Sequence, residues 1–314
     1  MLRRRASAMR QIRDYFAAQD VLEVETPLLM PWGSQDPALT SFTVSAPAEA
    51  DNRLRGYLQT SPEFAMKRLL ACGSGDIFQL CHAFRVEEPG RHHLAEFVLL
   101  EWYRLGFDHH QLMDEVEAVV SELLPSLFFE RKTYAELFES EYGFDPHTAS
   151  TPRLSETATA TGVELGIASD DRAILFDVLF AQLFLRTRSA SHALFVYDFP
   201  IEQCAYARIA PGPPAVAQRF ELIIGGVEIA NGYFELTDYE EQLDRHRHEG
   251  IRRQELKLPI MKPDPLFLAA LDAGMPSCAG VALGVDRLLM LSAGEQSLNK
   301  CTSFDPYGTL PECS

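Results

Sequence analysis

The chain has 314 residues, of which 46% are hydrophobic and 10% aromatic. That suffices for one large domain or two small ones around a sizeable core, and it excludes disorder as the dominant state. The 28 Lys and Arg against 45 Asp and Glu leave a formal net charge of −17, which argues against broad nucleic-acid binding and suits a small anionic ligand gripped by a few basic residues, or a basic protein partner.

No apolar run approaches the ~20 residues that span a bilayer, and Met1-Leu2-Arg3-Arg4-Arg5 lacks the features of a secretory signal. The six cysteines (Cys72, Cys81, Cys204, Cys278, Cys301, Cys313) show neither CxxC spacing nor a His cluster. The expectation is a cytoplasmic protein, with no membrane association, disulfide or structural zinc.

In chain order, apolar spacing through Met9, Ile12, Tyr15 and Phe16 predicts a helix over 8–19. An extended run, Val21-Leu22-Glu23-Val24-Glu25-Thr26-Pro27, follows it. Ser61-Pro62 reads as a helix start, with Ser as cap and Pro in the first turn, continuing through Glu63, Phe64, Met66, Lys67 and Leu70. Two apolar runs, Ile77–Leu80 and Phe97–Tyr103, flank a charged Gly/Pro loop and predict antiparallel strands. Amphipathic and apolar helices are expected over about 109–124 and 174–185, with 125–172 a peripheral insertion in a single domain covering 1–314. Residues 208–218 read as a loop. Phe220–Ile224, Gly225-Gly226 and Val227–Ile229 read as a hairpin. Thr237 and Glu240 have capping-box spacing for a helix to about 255. A small-residue strand from Gly280 then passes into an apolar helix ending near Leu291.

Three segments place charge beside tight backbone. Arg85 follows the first apolar run, before a loop holding Glu87, Glu88, Arg91, His92 and His93. A fixed cation beside a basic loop suits the α-phosphate of a nucleoside triphosphate; a lone strand Arg is otherwise a surface ion-pair partner. Glu221 and Glu228 lie one on each hairpin strand. Facing carboxylates repel, so a cation belongs between them, and Mg²⁺ on a triphosphate is a natural occupant; otherwise both face solvent. Gly284-Val285-Asp286-Arg287 sets an Arg in the first turn of a helix, where anions are favoured, or forms an Asp–Arg surface pair.

Together these segments resemble the three signature motifs of the class II aminoacyl-tRNA synthetases, over about residues 8–291. The first helix with Val21–Pro27 is similar to motif 1, Phe84–Tyr103 to motif 2, and Gly280–Arg287 to motif 3. Thr60-Ser61-Pro62-Glu63, Glu228-Ile229-Ala230-Asn231-Gly232 and Glu235-Leu236-Thr237-Asp238 resemble the lysyl branch. Within it, the chain looks like the subfamily that lacks the anticodon-binding domain and attaches (R)-β-lysine to elongation factor P. The chain starts at motif 1, with no room for the ~100-residue N-terminal OB barrel, its charge is acidic, and Ala230 and Ala282 stand where the tRNA enzymes generally have Gly. Val86 and Leu94 depart from the lysyl pattern, which usually has Asn at both.

The resemblance implies an α/β (α+β) fold, a mostly antiparallel sheet flanked by helices, and a homodimer through motif 1. It implies ATP and Mg²⁺ as cofactors, elongation factor P as acceptor and no tRNA. It assigns Arg85 and Arg287 to the phosphates as catalytic residues, and Glu87, His93, Leu94, Phe97, Glu221, Leu222 and Gly284 to ATP. Glu221 and Glu228 would hold the metal. Ser61, Pro62, Glu63, Tyr103, Glu228, Asn231, Glu235 and Ala282 would contact the amino acid. Taken without the resemblance, Glu63 reads as a favourable first-turn charge, Tyr103 as a core aromatic and Glu235 as a solvated residue. His109-His110 reads as structural. An α-lysine ligase, a catalytically silent regulatory paralogue and an asparagine-synthetase-like amide ligase stay open as alternatives.

Overall fold

In the computed structural model, every residue is described except 47–53, 87–89, 164–169, 185–188, 303 and 305–314. Glu87 and residues 303 and 305–314 of the tail therefore lie outside the described residues, while the described start of the tail after Gly294 forms a 3-10 turn at Leu298–Lys300. The elements run α1 (Leu2–Ala18), β1 (Leu22–Glu23), β2 (Leu29–Met30), β3 (Thr43–Ser45), β4 (Leu54–Leu58), α2 (Glu63–Ala71), β5 (Ile77–Phe84), β6 (Glu96–Leu105) and α3 (His109–Leu123). There follow β7 (Phe128–Thr133), α4 (Tyr134–Tyr142), α5 (Thr151–Ala160), α6 (Arg172–Phe184), β8 (His192–Phe199), β9 (Ile209–Ala210), β10 (Val216–Ile224) and β11 (Val227–Phe234). The last are α7 (Tyr239–Glu255), α8 (Pro265–Asp272), β12 (Cys278–Gly284) and α9 (Val285–Ser292). Helices thus flank mostly antiparallel strands, the class implied above.

The chain divides into two compact units: Met1–Leu105 with Thr237–Ser277 and Ala282–Ser314, and Gly106–Leu236 with Cys278–Val281. In the first, β1 pairs parallel to β5, and β5 pairs antiparallel to β6 with Gln79 opposite Glu101 and Ile77 opposite Tyr103. Strand alternation divides β6 into two faces. Leu100 and Trp102, both fully buried, belong to one of them. The α1 side chain Phe16 stacks on Phe78 at 4.6 Å and meets Trp102 edge-on at 5.3 Å. Burying each such aromatic contributes about 1.5–3 kcal/mol, so this wedge fixes β6 and leaves Glu101 and Tyr103 on its other face.

In the second unit β7 pairs parallel to β8, β8 antiparallel to β10, and β10 antiparallel to β11. Helices α4 and α6 cover this sheet through Tyr134, Phe138, Phe176, Phe180 and Phe199. The β10–β11 turn needs left-handed backbone at both central residues, and Gly225 (φ +60°) and Gly226 (φ +78°) supply it. The expected loop at 208–218 is partly ordered, because Ile209–Ala210 pair with Val216–Ala217.

Two helix starts differ from expectation. Helix α2 begins at Glu63 with Pro62 as cap, and Ser61 Oγ accepts the Glu63 N–H at 3.1 Å from one position earlier. Helix α7 is capped by Asp238, whose carboxylate accepts the Glu241 N–H at 2.8 Å. The carboxylate of the next residue thus caps the helix in place of Thr237, whose expected donor was the Glu240 N–H. Among the described residues, no helix is long and apolar enough to cross a membrane, and Cys72, Cys81, Cys204, Cys278 and Cys301 are free thiols.

Candidate active site

In the first unit, the start of α2 and the face of β6 that carries Glu101 and Tyr103 build a carboxylate cluster. Ser61 Oγ donates to Glu101 Oε2 at 2.7 Å, and Tyr103 Oη donates to Glu101 Oε1 at 2.7 Å. Glu101 is 2% exposed. Burial pushes its carboxyl up to about 7, the neighbouring Glu63 adds to this, and Ser61, Tyr103 and Lys67 oppose it. Glu63 itself pairs with Lys67 Nζ at 2.5 Å, one helical turn on. Ser61, Glu63 and Tyr103, singled out from sequence, are thus joined into one cluster, with Pro62 setting the helix start.

Glu101 was missed, although a single carboxylate inside Val98-Leu99-Leu100-Glu101-Trp102-Tyr103 was a usable signal. A buried acid in an apolar strand needs partners, and one two residues from Tyr103 shares its face.

Arg85 leaves the end of β5. Its backbone N–H bonds the Ala95 carbonyl at 3.0 Å, its Nε donates to the Thr60 carbonyl at 3.4 Å, and its guanidinium lies 5.2 Å from the Phe97 ring centre. The Thr60 bond brings the Arg to the segment that opens α2. Arg287, in the first turn of α9, donates from Nε to the His92 carbonyl at 3.2 Å, so motif 2 and motif 3 residues meet. His92 is held below its ordinary pKa by burial and then by Arg287. His93 bridges back to Gly90 and is exposed, while Leu94, Phe97, Ala282 and Gly284 are half-buried.

The remaining residues lie in the second unit, on β10, β11 and just beyond. Glu221 is buried and stands opposite Asn231, not Glu228. An irregularity between Leu222 and Ile223 shifts the register, so Glu228 is opposite Ile223. The expectation that the two carboxylates face one another directly is corrected accordingly. The cation beside Glu221 is Arg219, which sequence reasoning missed. It pairs with Glu221 and donates to the Gln203 carbonyl at 2.8 Å and Asn231 Oδ1 at 3.3 Å. It also lies 4.6 Å from the Phe199 ring centre. Its signal was spacing, since residues 219 and 221 share a strand face.

Burial drives the Glu221 carboxyl upward, Glu228 adds to that, and Arg219 opposes it. Leu222 is fully buried, and Asn231 and Glu228 are half-buried. Glu235, expected to be solvated if it had no special role, is 1% exposed; its N–H bonds the Cys278 carbonyl at 3.0 Å and its carbonyl accepts Arg208 Nε at 2.7 Å. His109 is structural, bonding Asp198 at 3.2 Å while 3% exposed.

Comparison with known proteins agrees with these motifs. The family described as tRNA synthetases class II (D, K and N) matches residues 1–306. A Vibrio cholerae serotype O1 protein named elongation factor P–(R)-beta-lysine ligase is 44% identical over 306 residues, covering 96% of this chain and 94% of the relative. Proteins of that name from Pseudoalteromonas translucida and Pasteurella multocida are 43% and 41% identical, covering 97% and 96% of this chain and 94% and 93% of their own lengths. The chain therefore belongs to the class II tRNA synthetases of the D, K and N group, and within that family to the branch of these ligases.

Proposed function

We propose that the chain is an ATP-dependent ligase that activates (R)-β-lysine as an adenylate and transfers it to a lysine ε-amino group of elongation factor P. The observation that carries the reading is the Ser61–Glu101–Tyr103 and Glu63–Lys67 cluster: two carboxylates side by side suit an amino acid with two ammonium groups. The names of the relatives supply the substrate and acceptor.

In the first step an oxygen of the amino-acid carboxylate attacks the α-phosphorus of ATP, and pyrophosphate leaves. Arg85 orients and neutralises the α-phosphate, Arg287 the γ-phosphate, and both act mainly by positioning and charge. His93, Leu94, Phe97, Leu222 and Gly284 line the nucleotide. In the second step the acceptor amine attacks the acyl carbon, AMP leaves, and an amide forms. Glu63 takes one substrate ammonium and Glu101 with Tyr103 the other, while Glu228, Asn231, Glu235 and Ala282 complete the amino-acid contacts.

Among the described residues no three His, Cys, Asp or Glu cluster as a self-sufficient metal cage. Mg²⁺ commonly uses only one or two carboxylates together with substrate phosphates, so Glu221 and Glu228 are an adequate donor set. The bound ion would neutralise charge developing on the phosphates.

Exposed leucines in and near the motif 1 region, Leu22, Leu28, Leu29 and Leu54 (40–55% exposed), support a homodimer through that region. The acidic charge supports a protein acceptor and the absence of tRNA, and the free thiols among the described residues suit a reducing cytoplasm. The test is intact-mass measurement of elongation factor P after incubation with enzyme, ATP and (R)-β-lysine. One β-lysyl adduct dependent on all three is expected; an unmodified acceptor with folded enzyme rejects the reading.

A further inference from the structure

Lysine is almost never fully buried without a partner, yet Lys67 is 0% exposed. Its ammonium pairs with Glu63 at 2.5 Å and lies 5.9 Å from the ring centre of Phe267 on α8. Phe267 stacks on Phe64 of α2 at 4.4 Å. His246 of α7 lies 6.2 Å from each of these rings. Its imidazole is kept neutral, held at about 4 by burial and then by Lys67 itself. This nest shields the ammonium from water, and in such surroundings its charge acts at longer range than on a surface.

We infer that Lys67 is a positioning residue for the amino-acid substrate, holding one oxygen of Glu63 and setting the charge that the Glu63–Glu101 pair presents to a diamine. The inference rests on the proposed function, since it assigns Lys67 a role behind Glu63 and Glu101. Without the ammonium, two carboxylates would face the substrate with no fixed cation, and ionising the second would cost more. With it, Glu63 is held in place by the ammonium, and Glu101 loses its proton more readily.

The groups around Glu101 are few. Glu63 and Lys67 face it from α2, Ser61 from the segment before α2, and Tyr103 from its own strand. On β5, Gln79 is its cross-strand partner, and Cys81 stays a thiol, pushed up to about 12 by burial and then by Glu101. Farther off, Glu249 of α7 faces Asp36 and Glu63, and burial lifts it to about 8. Both members of each comparison below share the same residue 63, so Glu249 is a common background within each comparison.

The experiment reads the Glu101 carboxyl by carbon NMR across pH, and the KM for (R)-β-lysine over the same range. In the wild type, KM should fall as pH rises through the Glu101 titration. In Lys67→Met both the titration and the KM profile should move up by roughly one pH unit, giving about a fivefold higher KM near pH 7, with the ATP KM unchanged. Lys67→Arg should restore the wild-type midpoint. A KM raised equally at every pH, or an unmoved titration, would overturn the inference.

Should Lys67→Met fail to fold, Glu63→Gln is compared with Glu63→Gln/Lys67→Met, which removes both buried charges together and leaves neither orphaned. The same upward move of Glu101 is expected in the double variant, and its absence overturns the inference. The NMR titration needs no substrate. A moved titration in a protein that activates no amino acid would reject the proposed function while leaving the electrostatic role of Lys67 standing.

Discussion

The Asp286 carboxylate accepts the backbone N–H of Val98 at 2.7 Å, tying the first turn of α9 to the strand that carries Glu101 and Tyr103. Its other oxygen pairs with Arg5 of α1. Three elements matched to motifs 1, 2 and 3 therefore converge on one carboxylate that is 3% exposed. Asp286→Ala leaves a buried N–H without an acceptor and should cost about 1–3 kcal/mol. Asp286→Asn keeps an acceptor oxygen and should cost less. Urea unfolding with an unchanged slope checks both, and equal losses in the two variants would contradict this account of the bond.

Glu101 also predicts a pH dependence of stability. Its folded-state carboxyl lies at about 7 against an ordinary 4.5, so the folded protein holds this proton more tightly than the unfolded chain. The resulting stabilisation is complete below about pH 4.5 and is lost as pH rises to about 7. A carboxyl moved that far contributes on the order of 2–3 kcal/mol to the decline. Glu101→Gln should flatten the unfolding free energy over this window, as measured by denaturant titrations at several pH values. A variant curve parallel to the wild type would show that Glu101 ionises without penalty.

How much of this was legible in the sequence follows from the range of each interaction. Arg85, Glu63, Tyr103 and Arg287 could be found because each sits inside a segment that resembles a class II synthetase motif; taken alone, Glu63 and Tyr103 read as structural residues. Glu101, Lys67 and Arg219 could not be singled out that way. Their importance comes from burial and from partners that only the folded chain supplies, such as Ser61 before α2 for Glu101 and Asn231 on the neighbouring strand for Arg219. The β10–β11 hairpin was visible from Gly225-Gly226, yet the shift between Leu222 and Ile223 was not. Such irregularities depend on cross-strand packing and leave alternation along each strand almost intact. The α7 cap was missed by one residue because Thr237 and Asp238 are both good caps, and only geometry decides between them.

Arg85→Ala should lower amino-acid-dependent ATP–pyrophosphate exchange by about 10²–10³-fold, the loss typical of removing one preorganised charge-stabilising donor. Stability should change by no more than about 1 kcal/mol, because the side chain is half-buried and its side-chain contacts among the described residues are one long bond to Thr60 and the Phe97 ring. Exchange within a few-fold of wild type would remove Arg85 from the phosphate site. Arg287→Ala should lose exchange likewise, and it additionally frees the His92 carbonyl.

Gly232 is required for close packing. A Cβ there would run into the Phe220 ring and approach Val281 Cβ at 3.0 Å. Both neighbours are buried, so Gly232→Ala should destabilise by roughly 1–3 kcal/mol, read as a lower thermal midpoint. An unchanged midpoint would mean that β11 relaxes without strain.

The central claim is tested most directly by ATP–pyrophosphate exchange with (R)-β-lysine, (S)-β-lysine and α-lysine in parallel, in the wild type and in Ala282→Gly. The account predicts strong exchange with (R)-β-lysine, weaker exchange with the other two, and a move toward α-lysine when Ala282 loses its methyl. No exchange with any of the three, from folded protein, would contradict it.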